Sequence, residues 1–510
     1  MGKKDKNKKK GKGAEKTQMK TDKKLAAKQK KLLAKLGEAD IQEVVAKLEA
    51  EEQRLKEVTE TVCPPPSARS SFSFCAHPEK EELILFGGEF FNGQKVCVYN
   101  DLYFYNIPKN EWKLVKSPSG PAPRSGHQMV TVAADGGQLW LFGGEYASPS
   151  QAQFYHFKDL WVFRLNTKKW EKVNAPNGPS ARSGHRMVAA KKKLFIFGGF
   201  HDNNTSYQYF NDVHVFSLES YEWLKIEIAG AIPPAPRSGS CIAAAPDGRI
   251  LIWSGYTKSK VNKEVDRGIT HADMFALTPD KSNPATKFKW VSVKPGGYRP
   301  HPRSGIAFTT APNGKTYCFG GVMDIDEDEE NISGQFGNDL YYLDLSSTTF
   351  RLVEVVKKAG KSSKAGDGSQ EVEMAEDAPV AASTTVTTDG IFTVTVGGSS
   401  SNASNKGKIA SLFDKLKPKP GPHPRMNAGM TICKGTLYLY GGIYEEDKKQ
   451  STLGDFYALD LHKLDEWKAL ISDTSRSHEW IDSGSEGSDS SGSENSDSSD
   501  DSSDSEMDTD

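Results

Sequence analysis

A short apolar run that ends in two glycines recurs along the chain and constrains its fold more than any other feature. The clear pairs are Gly87-Gly88, Gly143-Gly144, Gly198-Gly199, Gly320-Gly321 and Gly441-Gly442. A degenerate copy has Ser254 in place of the first glycine. From Gly87 to Gly320, the first positions of successive copies lie 56, 55, 56 and 66 residues apart. Such regular spacing indicates one supersecondary unit repeated along the chain.

Other marks recur in phase with the glycine pairs. A turn with an arginine, followed by serine in the first five units, precedes each apolar run, and a strand that opens with an aspartate follows each pair. A last short strand carries Trp112, Trp170, Trp223, Trp290 or Trp467, with Phe350 in the fifth unit. The glycines allow positive φ and close backbone approach, and the tryptophans offer apolar area to the next unit. Each unit therefore reads as four short strands, the content of one propeller blade.

Together, the glycine pair, the following aspartate strand and the spaced tryptophan resemble the kelch motif. Six copies of that motif imply an all-β fold, a closed six-bladed kelch β-propeller. Two copies depart from the pattern, because Ser254 replaces a glycine and no proline precedes Arg69. We expect residues 61–480 to form the propeller, between a head at 1–60 and a tail at 481–510.

A long insertion interrupts the last interval, since Gly320 and Gly441 are 121 residues apart. It spans about residues 346–420 and contains an apolar stretch within 382–398. That stretch is either a stray strand of a polar insertion or part of a seventh blade. No Pro-Arg turn precedes it and no tryptophan strand follows, which favours six blades.

The two ends carry opposite charges that cancel to a formal net charge of −1. Lysines dominate the head up to Lys35. A predicted helix follows, with Asp40 and Glu43 as its capping box. One face of this helix is apolar and carries Ile41, Val44, Val45 and Leu48. We expect this helix to dock on the propeller or on a partner. The Ser/Asp/Glu tail has a disordered composition. Its phosphorylation candidates are Ser483, Ser498, Ser503 and Ser505.

The six cysteines show no CxxC spacing, which favours reduced thiols and an intracellular protein in the cytoplasm, the nucleus or both. No apolar stretch is long enough to span a bilayer, so we expect no membrane association and a monomeric propeller. No zinc-ligand spacing, phosphate-binding loop or nucleophile elbow is present. The sequence therefore predicts no catalytic residues, no metal and no cofactor, and we do not expect an enzyme.

Strand alternation brings the arginine turns and the loops after the glycine pairs to one rim of the propeller, because strands of an antiparallel blade alternate direction. Loops on a rigid scaffold often carry function. We expect the loop-tip residues Tyr146, His201 and Tyr207 to contact a partner. The turn arginines have two open interpretations, a cationic contact ring or a role in holding the turns. These arginines are Arg124, Arg182, Arg237, Arg303 and Arg425.

These observations predict a non-enzymatic scaffold that binds an unknown protein partner through its rim loops. The alternative is a substrate receptor of a ubiquitin ligase, as some kelch proteins are. Contact of the lysine tract with a nucleic-acid backbone is a further, less favoured interpretation.

Overall fold

The computed structural model describes residues 31, 33–203, 206–230, 232–260, 266–328, 331–356, 421–446 and 449–472. Several predictions lie outside these residues. They concern the lysine tract up to residue 30, the stretch 382–398 and the four candidate phosphorylation sites Ser483, Ser498, Ser503 and Ser505. Within the described ranges, helix α1 (Ile41–Glu52) precedes a series of short strands. No helix among these residues is long and apolar enough to cross a membrane.

The first half of the series forms three blades, each with a two-stranded hairpin between its second and third main strands. The first blade contains β1 (Thr59–Cys63), β2 (Ser73–Ala76), β3 (Glu82–Phe86), the hairpin β4 (Glu89–Phe91) and β5 (Val96–Val98), β6 (Leu102–Asn106) and β7 (Glu111–Lys116). The second contains β8 (Gln128–Val132), β9 (Gln138–Phe142), the hairpin β10 (Glu145–Ala147) and β11 (Phe154–His156), β12 (Leu160–Arg164) and β13 (Lys169–Val173). The third contains β14 (Arg186–Ala190), β15 (Lys193–Phe197), the hairpin β16 (Phe200–Asp202) and β17 (Tyr207–Tyr209), β18 (Val213–Ser217) and β19 (Glu222–Leu224).

The second half repeats the plan. The fourth blade contains β20 (Glu227–Gly230), β21 (Cys241–Ala244), β22 (Ile250–Trp253), the hairpin β23 (Tyr256–Lys260) and β24 (Asp266–Thr270), β25 (Met274–Pro279) and β26 (Lys287–Val293). The fifth contains β27 (Gly296–Gly297), β28 (Ala307–Thr310), β29 (Lys315–Phe319), the hairpin β30 (Val322–Asp328) and β31 (Asn331–Phe336), β32 (Leu340–Asp344) and β33 (Thr349–Leu352). The sixth contains β34 (Gly429–Cys433), β35 (Thr436–Glu446), β36 (Lys449–Asp460) and β37 (Lys468–Ile471).

Each blade is a four-stranded antiparallel sheet, so the predicted six-bladed propeller is confirmed. Three blades carry an extra outer strand. β1 pairs antiparallel with β7, while β20 and β27 pair parallel with β26 and β33. In the sixth blade, β35 and β36 continue past the glycine pair and form the hairpin themselves.

The hydrophobic core lies between the blades. Six clusters of buried side chains each join one blade to the next, and one of them joins the sixth blade to the first. The second strand of a blade is buried on both faces, as in β9, where Leu139, Trp140, Leu141 and Phe142 are all 0% exposed. A blade therefore cannot bury its apolar residues alone, and closing the circle supplies the missing contacts.

A circle of main-chain hydrogen bonds surrounds the propeller axis. One residue from each arginine turn donates its N–H to the corresponding carbonyl of the neighbouring blade, over 2.8 to 3.4 Å. These residues, which we call the axial ring, are Ser71, Gly126, Gly184, Gly239, Gly305 and Asn427. All have φ between 53° and 64°, which explains the preference for glycine there. The bond from Ser71 to Asn427 closes the circle between the first and last blades.

Candidate functional site

The turn arginines are buried inside the structure. Arg124, Arg182, Arg237 and Arg425 are 0–1% exposed, and Arg303 is 7% exposed. Each donates from Nε to the carbonyl two residues earlier and from one terminal nitrogen to the carbonyl at the first position of the glycine pair. Their burial removes them from any cationic contact ring at the surface. The structure thus favours the other interpretation, in which the arginines hold the turns.

Each of these arginines also pairs with the aspartate that opens the third main strand of its blade. The pairs lie 2.5–2.7 Å apart at their closest atoms and are Arg124–Asp159, Arg182–Asp212, Arg237–Asp273, Arg303–Asp339 and Arg425–Asp455. Burial alone would raise the pKa of Asp159, but the Arg124 guanidinium and its hydrogen bonds outweigh it and lower that pKa. The sequence contains a signal for this pairing, because the aspartate recurs in every unit.

The glycine pairs link neighbouring blades through their backbone. Gly88 N donates to the carbonyl of Arg124 in the next blade, and Gly442 N donates to Arg69 across the closure. Gly87 has φ +68°, and a Cβ atom at that position would lie 2.7 Å from the Arg124 carbonyl oxygen. Paired glycines are therefore required both by backbone conformation and by the close approach of the adjacent turn.

Ser254 provides a test of this requirement, because it holds φ 61° at the position where the other units have glycine. A left-handed backbone conformation costs a residue with a Cβ about 1–2 kcal/mol. Replacing serine by glycine removes that cost but also increases the conformational entropy of the unfolded chain, which offsets part of the gain. We expect Ser254→Gly to raise the free energy of unfolding by about 0.5–1 kcal/mol, measured by denaturant unfolding. Ser292→Gly in strand β26 is the control and should lower it by a similar amount. Equal changes in the free energy of unfolding for the two substitutions would contradict a strained backbone at Ser254.

The aromatic residue of each last strand packs against the preceding blade. Its partner there is the aromatic residue that ends the second main strand. The ring centroids lie 5.3–6.4 Å apart in Trp170–Phe86, Trp223–Phe142, Trp290–Phe197, Phe350–Trp253, Trp467–Phe319 and, across the closure, Trp112–Tyr440. These residues are structural contacts between blades.

The arginine turns and the hairpins share one rim, which we call the hairpin rim. The serine after each turn arginine forms an antiparallel bridge with the residue after the glycine pair, as in Ser125 with Glu145 and Ser183 with Phe200. In the sixth blade, Met426 takes the place of the serine and pairs with Ile443. The rim geometry expected from strand alternation is therefore present in all six blades.

Helix α1 lies on this rim, beside Tyr146. Val45 is 2% exposed and packs with Ala122 and Phe157, and Tyr146 and Tyr155 border the contact. The Gln153 side chain accepts from the N–H of Ile41 and donates to the carbonyl of Ala39, over 3.1 and 2.9 Å. The expected docking of the helix thus occurs on the propeller. Asp40 caps it by accepting from the N–H of Gln42. Tyr146 packs against the helix contact and remains partly exposed, so its predicted contact with a partner stays a prediction.

His201 and Tyr207 belong to a second group of aromatic residues, on the hairpins of the second, third and fourth blades. The ring of Tyr209 lies at the centre of this group, with centroid separations of 5.8, 6.0 and 6.5 Å from Phe200, Tyr207 and Tyr256. His156 lies beside it, 5.5 Å from Phe200 and 4.7 Å from His201. We call these six residues the aromatic surface. All except His156 are partly exposed.

A cavity of about 760 Å³ runs along the axis next to this surface. Its walls are the first main strands of the blades, and its rim includes the axial ring, Glu89, Glu145, Phe200 and Tyr256. Deeper in, Arg186 donates from Nε to the carbonyl of Ser240. Across the described residues, no group of three His, Cys, Asp or Glu side chains could hold a metal ion.

Comparison with known proteins agrees with this geometry. Residues 69–266 match the family model "FBX42, beta-propeller domain", and residues 202–417 match the "KLHDC2/KLHL20/DRC7 Kelch-repeats domain". Human host cell factor 2 is 31% identical over 183 residues, which is 34% of this chain and 20% of that protein. The chain therefore spans only about a fifth of the length of that relative.

Two further similarities are more distant. The N-(sulfonatooxy)prop-2-enimidothioate sulfolyase of Thlaspi arvense is 26% identical over 249 residues, covering 46% of this chain and 67% of the enzyme. The solved structure of YjhT covers 79% of this chain and 98% of its own, with a TM-score of 0.47 and 12% identity. With the repeat marks and the six closed blades, the two family matches show that the folded part of this chain is a kelch-repeat β-propeller.

Proposed function

We propose that this protein is a non-enzymatic scaffold that binds a partner protein through the aromatic surface of its hairpin rim. The observation that carries the proposal is the cluster of partly exposed rings around Tyr209, on hairpins that project from a closed propeller. Tyrosine and other aromatic residues are enriched at protein interfaces, where they dominate the binding energy.

Other features of the rim support this choice of surface. The turns beneath it are fixed by buried arginines that pair with aspartates, so the hairpins start from defined positions. A preorganised surface loses less conformational entropy on binding.

The layout of the whole chain, with its lysine-rich head, insertion and acidic tail, is also similar to that of Kelch domain-containing protein 4.

The test is an affinity purification from cells that compares wild type with the double variant Tyr207→Ala/Tyr209→Ala. We expect the variant to lose at least tenfold of a specific partner, because truncating two interface aromatics removes several kcal/mol of contact energy. Tyr221→Ala is the matched control, since Tyr221 lies in the turn between β18 and β19 at the opposite rim of the same blade.

Unchanged recovery of every partner by the double variant, with an unaltered melting temperature, would show that the surface is not the binding site. The same purification tests the alternative function. A cullin or a cullin adaptor that is retained stoichiometrically would favour a substrate receptor of a ubiquitin ligase over a free-standing scaffold.

A further inference from the structure

The residue that follows each glycine pair divides the mouth of the axial cavity into two chemically different halves. In chain order these residues are Glu89, Glu145, Phe200, Tyr256, Val322 and Ile443. Four are apolar or aromatic, and the two carboxyl groups stand on neighbouring blades. Both glutamates, Phe200 and Tyr256 line the cavity. An acidic half of the mouth therefore faces an aromatic and aliphatic half.

The two carboxyl groups have the same local support. Glu89 Oε2 accepts from Ser125 Oγ at 3.0 Å, and Glu145 Oε2 accepts from Ser183 Oγ at 2.9 Å. In the part of the chain that the structure describes, no lysine or arginine lies within ion-pair distance of either carboxyl group. These glutamates thus differ from the turn aspartates, each of which has an arginine.

A buried histidine next to Glu145 has a donor without a partner. His156 Nε2 accepts from the N–H of Asp202 at 3.0 Å, so in the neutral ring the proton is on Nδ1. Nδ1 makes no hydrogen bond, although its side chain is 0% exposed, and it lies 3.5 Å from Glu145 Oε2. An ionised Glu145 would give this donor an acceptor.

Aromatic faces complete the site. The ring of Phe200 lies 5.5 Å from that of His156, and its Cε1 is 3.2 Å from where a Cβ of Gly184 would stand. Gly184 directly follows Ser183, the residue that holds Glu145. The carboxyl group and the Phe200 ring therefore meet at the same turn, and the Glu145 side chain is 17% exposed and reachable.

We propose that the mouth between Glu89, Glu145 and Phe200 binds a basic side chain, a lysine ammonium or an arginine guanidinium, supplied by a partner protein. This inference rests on the proposed function and names the chemistry of one contact. A cation placed there donates charge-assisted hydrogen bonds to the carboxylates and is attracted by the face of the aromatic ring.

Binding of the cation is coupled to loss of a proton. Burial, together with the nearby carboxyl groups of Glu89 and Asp202, raises the pKa of Glu145 to about 8. Burial also raises the pKa of Glu89. His156 stays neutral, because burial and the neighbouring His201 lower its pKa to about 3. At pH 7 the empty site holds a protonated Glu145, and the arriving cation favours the ionised form. Affinity therefore rises with pH until about pH 8 and then levels off.

The experiment titrates the full-length protein with N-acetyl-arginine amide, N-acetyl-lysine amide and the neutral N-acetyl-glutamine amide. Calorimetry at pH 7 in two buffers of different ionisation enthalpy reports both affinity and proton release. We expect at least one cation to bind tenfold or more tightly than the neutral amide, with release of protons. Comparing the affinities of the arginine and lysine amides shows whether the site prefers a guanidinium or an ammonium group.

Glu145→Gln keeps an oxygen that can accept from Ser183, and it should weaken cation binding at least tenfold and abolish proton release. Glu222→Gln, which removes an exposed negative charge in strand β19, is the control and should change neither. The acidic tail is present in every variant, so its contribution cancels. Binding without preference for the cations, or equal binding by Glu145→Gln, would overturn the inference. In the affinity purification, retention by Glu145→Gln of the partner that Tyr207→Ala/Tyr209→Ala loses would overturn the cation site and leave the proposed function standing.

Discussion

Replacing Asp455 by alanine is expected to lower the free energy of unfolding by about 3–5 kcal/mol, because it leaves a buried guanidinium without its counter-charge. Asp455 and Arg425 are both 0% exposed and share two hydrogen bonds of 2.6 and 2.7 Å. After the substitution, Arg425 keeps only its bonds to the carbonyls of His423 and Gly441. Denaturant unfolding followed by circular dichroism measures the loss.

The first blade supplies the matched control for this prediction. Asp101 occupies the equivalent position, but it lies 3.6 Å from Arg69 and is 33% exposed. Arg69 is as buried as Arg425, but its guanidinium donates to Ser67 and Gly87 and makes no hydrogen bond to the partly solvated Asp101. Asp101→Ala should therefore cost only about 1 kcal/mol. A loss at Asp455 no greater than that at Asp101 would show that the buried pair does not hold its turn.

The sequence specified the blades because their marks are local and repeated. Each glycine pair and each tryptophan strand lies within one unit, so their spacing predicts the six blades directly. The outer strands β20 and β27 escaped prediction for the opposite reason. Glu227–Gly230 is exposed along its length, and Gly296–Gly297 has no side chains to pattern, so neither carries a hydrophobic period.

The candidate site was less predictable, because its contacts join distant parts of the chain. Tyr146 belongs to a variable loop, and the residues that pack beside it come from a helix about a hundred residues earlier in the chain. The pattern of Ile41, Val45 and Leu48 predicted an apolar face but could not indicate which surface receives it. For the arginines, both interpretations fitted the turn alone. The recurring aspartate later in each unit was the feature that distinguishes them.

Closure of the ring depends on contacts that no repeat unit contains by itself. Tyr440 of the sixth blade is 0% exposed and donates its hydroxyl proton to the carbonyl of Pro66 at 2.6 Å. Its ring packs 5.7 Å from Phe72 and 6.1 Å from Trp112, both in the first blade. The described strands of the first blade all precede those of the sixth, and no strand is exchanged between them. Side-chain packing, the axial ring and the backbone bonds between Arg69 and the sixth blade therefore hold the closure.

Tyr440→Ala is accordingly expected to lower the free energy of unfolding by about 3–5 kcal/mol, the cost of truncating a large buried aromatic residue. Phe142→Ala is the control at the same repeat position, since Phe142 is also 0% exposed and packs on Trp223 of the next blade. The two variants should lose similar free energy but differ in hydrogen exchange. Tyr440→Ala should expose amides of the first and sixth blades, and Phe142→Ala those of the second and third.

Tyr440→Phe separates the hydroxyl from the ring, and we expect it to cost about 1 kcal/mol, because it loses the short bond to the Pro66 carbonyl and the longer one to the Ser67 carbonyl. Faster exchange spread evenly over all six blades in Tyr440→Ala would contradict a local closure contact. It would mean that the propeller opens as one cooperative unit, because adjacent blades share their cores so fully that no single joint is weaker than the others.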